Sequence, residues 1–449
     1  MHYEKFQDGT VKCIEDEIPF EVPEGWAWCK LNDIYNFIDY RGATPTKITN
    51  GIPLVTAKNV KSGYIDYTID DYISEEEFKE RQQRGISKKG DILFTTEAPL
   101  GNAALADMEK FSAGQRLITF QQYGSKNELI NYVMLMFILS DFFQQQLYVN
   151  KTGSTVAGIK AAILKTLWIP VPPYNEQLRI SNTLKSAINL IDSISKNKEI
   201  LSTSISNTKS KILDLAIRGK IVPQDPNDEP ASVLLERIRA EKEELIKQGK
   251  IKRDKKESVI FKGEDNSYYG IHLPDSWDWA SLREIALSIS DGSHNPPPNN
   301  GSGIPLLSAA NINDNSILMN EISRWITNEE WKIENQRTNI EVGDVLLTIV
   351  GSIGRSAVVQ NNNHFALQRS VAVIKPCLIN PLYLMHIVQS PQIQKWLTDN
   401  SKGTAQKGIY LNALSLMIIP IPPLAEQARI VEHIHIAYKH LDLISNALL

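Results

Sequence analysis

The sequence predicts an α+β protein in which two similar globular units are separated by long antiparallel coiled-coil helices, with an internal two-fold sequence repeat. Three observations carry that expectation. The first is a heptad seam. Behind the prolines of IPVPPYNEQLRI at 169–180, Leu184, Ala187, Ile191, Ile194, Lys198, Leu201, Ile205, Thr208, Ile212 and Leu215 follow at alternating spacings of three and four, and only Lys198 and Thr208 are not apolar. Such a seam buries a narrow stripe against another helix. The second is duplication. The same stretch returns as IPIPPLAEQARIVEHIHIAYKHLDLISNALL, with Pro170 on Pro420 and Glu176 on Glu426, an offset of 250. The third is the texture of the intervening sequence, where short β-rich runs mix with amphipathic helical segments without regular βαβ alternation.

Residues 1–22 read as a polar lead-in without the apolar region of a signal peptide. A first unit spans 23–174 and a second 274–424. Trp26 and Trp28 of the first correspond to Trp277 and Trp279 of the second, and IPLV at 52–55 to IPLL at 304–307. Asp91 falls on Asp344, Gln115 and Arg116 fall on Gln368 and Arg369, and TGSTVAGIK at 152–160 falls on KGTAQKGIY at 402–410. Divergence lies between these anchors, as expected of one scaffold carrying two different surfaces. Within each unit, GDILF and GDVLLTIV read as strands after a Gly-Asp turn. SEEEFKERQQ and TNEEWKIENQ read as short helices, and LINYVMLMFILSDFFQQQ and PLYLMHIVQSPQIQKWL as longer ones.

Residues 175–250 form the central helical region and connector. Asn175 is the expected N-cap of a helix running to 217, and a second helix follows Pro230. Residues 251–273 read as a basic linker, and 425–449 as a short distal helix. Leu449 corresponds to Glu199, so the second copy has no counterpart of residues 200–248. On the sequence, that leaves the seam around Ile205, Ile212 and Leu215 without a neighbour.

Composition excludes several classes. Hydrophobic content of 42% and charged content of 22% are ordinary for a soluble protein. The most apolar stretch, 129–143, is shorter than a membrane span and contains Asp141. Cys13, Cys29 and Cys377 are far apart, which implies neither a disulfide framework nor a zinc site. A cytoplasmic protein with no membrane association is expected. Net charge is −4; residues 23–174 carry 16 lysines and arginines against 16 acidic residues, and residues 274–424 carry 10 against 12. Any DNA contact must come from a local patch rather than bulk charge.

Catalytic readings fail. NPPP at 295–298 lacks the aromatic ring that would stack on a flipped adenine, VPPY at 171–174 lacks the amide, and neither follows a Gly-rich cofactor turn. Glu77 and Lys79 sit in a charged helical run, and His433, His435 and His440 share no helix face suited to a metal. What remains is a binding constellation: TPTK at 44–47, TAKN at 56–59, KTGST at 151–155, DGSH at 291–294 and SKGTAQK at 401–407. Lysine with small hydroxyl and amide residues suits phosphate contact, while Gln-Arg pairs can address adenine and guanine edges. The candidate DNA-binding residues are Lys58, Asn59, Arg116, Lys151, Ser154 and Thr155 in the first unit. In the second they are Asn311, Arg355, Arg369, Lys402, Thr404, Gln406 and Lys407.

With G-D-hydrophobic, G-S-I-G-R, G-T-x-x-x-G-I and I-P-x-P-P-x-x-E-Q-x-x-I leading into a long helix, the chain resembles the specificity subunit of type I restriction-modification enzymes. RGKIVPQDPNDEPASVLLERIRAEKEELI at 218–246 is similar to that family's central conserved region. The resemblance implies two target-recognition domains, each reading half of a split, asymmetric site on double-stranded DNA. It implies chemistry on partners: modification subunits that methylate adenine N6 with S-adenosylmethionine, and restriction subunits that use ATP and Mg. This chain would hold no cofactor. The missing counterpart of 200–248 puts symmetric docking of a second modification subunit in question. Competing readings are a stand-alone adenine methyltransferase and a coiled-coil scaffold that does not bind DNA.

Overall fold

The structure is a computed structural model, and it describes residues 3–40, 44–68, 70–123, 129–153, 157–253, 267–403 and 407–448. The chain divides into two units, Met1–Ile194 and Ser195–Leu449. In the first, an antiparallel sheet has the order Tyr35–Asp39, Leu117–Gln122, Ile92–Thr95, Ala103–Leu105. Ile92, Leu93 and Phe94 are all fully buried, which is why this strand reads as a continuous apolar run rather than an alternating one. A smaller sheet sets Ile52–Val55 between Tyr72–Ile73, antiparallel, and Ser112–Ala113, parallel. A two-stranded ribbon pairs Ala27–Lys30 with Trp168–Val171 and places Pro170 opposite Trp28. A ribbon tolerates that proline because the missing amide costs no central ladder bond.

The second unit repeats this plan strand for strand. Its four-stranded sheet is Ala286–Asp291, Val371–Pro376, Val345–Thr348, Ser356–Val358; its three-stranded sheet is Trp325–Ile326, Ile304–Leu307, Ala366–Leu367. Its ribbon pairs Asp278–Ser281 with Ile418–Ile421. The Gly-Asp turns work alike in both units. Gly90 and Gly343 sit at φ +89° and +95°, a region that favours glycine. Asp91 accepts from the Lys88 amide and Asp344 from the Glu341 amide, each at 2.8 Å.

Both expected longer helices are broken in two. Asn131–Ile138 and Asp141–Val149 part at Ser140, whose side chain caps the second helix. Pro381–Val388 and Pro391–Asp399 part where Pro391 opens a new first turn. The central helix runs Tyr174–Ile217, two residues earlier than Asn175 capping would give. Pro173 supplies the carbonyl that accepts the Glu176 amide at 2.8 Å. The connector helix is Ala231–Lys247 and the distal helix Leu424–Asn446. Of the basic linker, 254–266 lie outside the described residues. Among the described residues no helix is long and apolar enough to cross a membrane.

Within the second unit the tail of the central helix runs antiparallel to the distal helix. Lys209 pairs with Asp442 at 2.5 Å, and Tyr438 Oη donates to the Lys209 carbonyl at 3.3 Å. Leu213, Ala216 and Ile217 share a core with Ile430 and Ile434. The expectation for the seam is therefore corrected. Ile205 is buried, and Ile212 and Leu215 are partly covered; the large apolar residues exposed in the middle of the helix are Leu190, Ile191, Ile194, Ile200 and Leu201. The reason is geometric: antiparallel pairing sets the start of the distal helix against the end of the central one.

Asp214 locks this tail. Burial opposes its ionisation, yet hydrogen bonds from Lys211, Arg218 and Gln392 outweigh that and hold its carboxyl at about 2. A carboxylate held below its ordinary 3.8 stabilises the fold above that value and loses its contribution as pH falls toward about 2. Asp214→Asn should cost about 1–3 kcal/mol at neutral pH. In denaturant unfolding followed against pH, the deficit should shrink between pH ~4 and ~2. A deficit independent of pH would refute the assignment.

Candidate nucleic-acid interface

In each unit the loops at one end of the main sheet are tied together through the backbone. In the first, the Thr96 amide donates to the Arg116 carbonyl at 2.9 Å, and the Ile159 amide donates to the Thr96 carbonyl at 3.0 Å. Thr152 and Gly158 exchange two backbone bonds. The Gly114 amide donates to the Val55 carbonyl at 2.7 Å, which brings the turn carrying Lys58 beside the turn carrying Arg116. Arg116 therefore stands at a junction of loops, itself at φ +63°.

The second unit builds the same junction one residue out of step with the sequence match, since the strand pairings put Ser370 at the place of Arg116 and Arg369 at that of Gln115. The Ile349 amide donates to the Ser370 carbonyl and the Ile409 amide to the Ile349 carbonyl, both at 2.9 Å. The Arg369 amide donates to the Ser293 carbonyl at 2.9 Å, which adds the DGSH turn. Gly292 is required there, since a Cβ would lie 2.1 Å from the Leu367 carbonyl oxygen. The Gly-Ser-Ile-Gly segment is set by Gly354 at φ +98°, whose carbonyl accepts from Gln394 at 2.9 Å. Gly101 and Gln144 make the matching pair in the first unit at 3.0 Å.

The two junctions differ in charge where the scaffold agrees. Arg116 Nε lies 3.3 Å from Glu97, with both side chains about half exposed. At the place of Glu97 the second unit has Val350, and Arg369 is exposed with no ion pair to a described carboxylate. Arg355 is also exposed, in the position where the first unit has Asn102 donating to the Val60 carbonyl at 3.0 Å.

The other candidates separate into three groups. Lys58, Lys402 and Lys407 are exposed on these loops, and Lys151 is exposed with its ammonium 3.5 Å from the centre of the Tyr148 ring. Asn59 and Asn311 are correctly placed in the turns but face inward. Asn59 accepts from the Thr56 amide at 3.0 Å and donates to the Asp66 carbonyl at 3.0 Å; Asn311 accepts from the Ser308 amide and donates to the Glu321 carbonyl. With both ends of each amide used and the side chain buried, these asparagines shape the turn rather than present a group to a ligand. Ser154, Thr155, Thr404 and Gln406 lie outside the described residues.

Some contributors went unnoticed in the sequence. Arg84 Nη1 donates to the Asp39 carbonyl and Arg337 Nε to the Asp291 carbonyl, both at 3.0 Å, bracing the strand that leads into these loops. His294 also hydrogen-bonds Asp291 at 2.8 Å. The signal was available, because Asp39 and Arg84 align with Asp291 and Arg337 at offsets of 252 and 253. Glu77 is structural, accepting the Thr46 amide at 2.9 Å.

The fold and the paired junctions define a two-module binding protein, each module presenting a polar, arginine-centred set of loops. The chain belongs to the type I restriction modification DNA specificity domain family, whose profile matches residues 23–202 and 274–448. It is 23% identical over 450 residues to the EcoBI specificity subunit of Escherichia coli, covering 98% of this chain and 85% of that protein. Over 240 residues it is 34% identical to the E. coli EcoAI specificity subunit, covering 51% of this chain and 38% of that protein. Among solved structures, the HsdS subunit from Thermoanaerobacter tengcongensis superposes with a TM-score of 0.53 at 17% identity, covering 96% of this chain and 94% of that one. A chain from a structure of type I restriction-modification complex assembly and conformational transition gives 0.61 at 18% identity, again covering 96% and 94%. These two likenesses concern the fold.

Proposed function

We propose that this chain is the DNA-specificity subunit of a type I restriction-modification complex, each unit reading one half of a bipartite, asymmetric site on double-stranded DNA. The observation that carries the reading is the repeated loop junction, alike in scaffold and different in side chains at Glu97 and Val350 and at Asn102 and Arg355. Exposed arginines at loop ends suit guanine edges, and the lysines around them suit phosphates. Adenine N6 methylation and restriction belong to partner modification and restriction subunits. S-adenosylmethionine, ATP and Mg bind those partners, and this chain takes no cofactor and performs no catalysis. A cytoplasmic location accords with that role.

A stand-alone methyltransferase finds less support. NPPP at 295–298 brings no aromatic ring to a flipped base, and nothing in the sequence supplies a Gly-rich cofactor turn. The test uses the complex with its modification subunit. Arg369→Ala should cost about 1–3 kcal/mol of specific binding and relax one base position in the second half-site. Arg116→Ala should cost less, because Arg116 must first leave Glu97. Lys407→Ala should weaken all sequences alike and lower the salt slope by about one. Equal loss on specific and random DNA for Arg369→Ala would remove it from base reading.

A further inference from the structure

In the DGSH turn of the second unit one side chain is both exposed and fixed. His294 leaves about half of its surface open, yet its Nε2 lies 2.8 Å from Asp291 Oδ2. Asp291 is buried and is held twice by Arg337, through its carbonyl at 3.0 Å and through its other carboxylate oxygen. Arg337 Nη2 also stands 3.3 Å from the same imidazole nitrogen. The two contacts ask opposite roles of Nε2. The shorter one, to a carboxylate, decides: Nε2 carries the hydrogen and donates to Asp291. In the neutral ring Nδ1 is then an acceptor, and among the described residues it has no hydrogen-bond partner.

The backbone on both sides of the ring is equally fixed. The Ser293 amide donates to the Leu367 carbonyl at 2.7 Å, and the Ser293 carbonyl accepts the Arg369 amide at 2.9 Å, so the turn is stitched to the segment that carries Arg369. On the far side the prolines at 296–298 restrict φ, and Arg324 Nη2 donates to the Pro297 carbonyl at 2.8 Å. A surface side chain held in one orientation gives up little conformational entropy when it meets a ligand. The scaffold does not require this ring. The first unit has the same brace, from Arg84 to the Asp39 carbonyl, but the residue that aligns with His294 at the offset of 252 is Gly42. The histidine is an addition to the second unit at a place where the two copies diverge, as expected of a reading residue.

We infer that His294 reads a base of the second half-site, its Nδ1 accepting a hydrogen bond from an exocyclic amino group, adenine N6 or cytosine N4, in the major groove. The inference rests on the reading of the second unit as a DNA-binding module. Adenine and cytosine present that donor at the major-groove edge, whereas guanine and thymine present acceptors there. An acceptor on a fixed ring separates the two classes. It complements Arg369 on the adjoining segment, a donor of the kind that suits guanine.

The test uses the complex with its modification subunit. Methylome sequencing of cells carrying the wild-type chain or His294→Ala should differ at one defined position of the second half-site, which becomes degenerate while the first half stays defined. Binding is then measured on duplexes that lack the amino group at that position, with purine in place of adenine or 2-pyrimidinone in place of cytosine. The wild-type complex should lose about tenfold in affinity. His294→Ala should be indifferent to the same change, because the amino group has no partner left to lose. His294→Asn, whose Oδ1 takes the place of Nδ1, should recover part of the sensitivity. An unchanged motif in His294→Ala would overturn the proposal, and so would an equal loss on the amino-deleted duplex for variant and wild type. Relaxation of several positions at once would assign His294 to the shape of the turn and overturn it too. If Arg369→Ala relaxes a position and His294→Ala does not, only the role of His294 falls. If the wild-type motif has no second defined segment, the reading of the second unit falls with it.

Discussion

Replacing residues 23–174 with the matching unit of another specificity subunit should change one half of the methylated motif completely and leave the other half and the methylating activity intact. The expectation rests on self-contained architecture. Each unit has its own four-stranded sheet, its own core and its own loop junction, and the bonds that fix Arg116 and Arg369 run within their units. The exchange joins should fall before Pro23 and at the Val171–Tyr174 turn, where a ribbon strand hands over to the central helix. Long-read sequencing of methylated DNA from cells carrying the exchanged chain reads the outcome. A change in both halves, or in neither, would end the two-reader account.

Insertion of one heptad near Leu201 should lengthen the undefined spacer between the two half-sites. Residues 189–204 of the central helix are exposed, so seven further residues meet no packed surface, and a heptad keeps the seam in register. The helix grows by about 10 Å, and at about 3.4 Å per base pair the spacer should gain at most about three base pairs. A shorter gain is expected if the distal helix, unchanged, restrains the growth. Methylation at the original spacing with undiminished efficiency would show that this helix does not measure the DNA.

The duplicated plan was legible in the sequence because its anchors carry strong local chemistry. The Gly-Asp turns, the proline-ended ribbon strands and the Glu-Gln helix starts each recur at an almost constant offset, and each forms the same element in both units. Helix breaks were less legible. Ser140 ends an apolar run by capping the next helix, and hydrophobic periodicity alone does not register such a side-chain acceptor. The inward-facing Asn59 and Asn311 were misread for a related reason. An asparagine in a Gly/Ser/Thr loop looks identical whether its amide addresses a ligand or its own turn, and only burial separates the two. The seam expectation failed at Ile205, Ile212 and Leu215 because the missing counterpart of 200–248 was matched copy to copy, whereas antiparallel pairing sets the start of the distal helix against the end of the central one. The bonds of Gln224 and Trp277 to Glu426 were invisible because tertiary folding joins these residues across separations of 202 and 149 residues.

The central claim is that two independent units read two separated stretches of DNA. Methylome sequencing of cells expressing this chain with its modification partner tests it most directly. The account expects N6-methyladenine in a bipartite motif, two short and different defined segments at a fixed spacing with undefined bases between them. A single contiguous motif, a palindrome read identically from both ends, or methylation without sequence preference would contradict it.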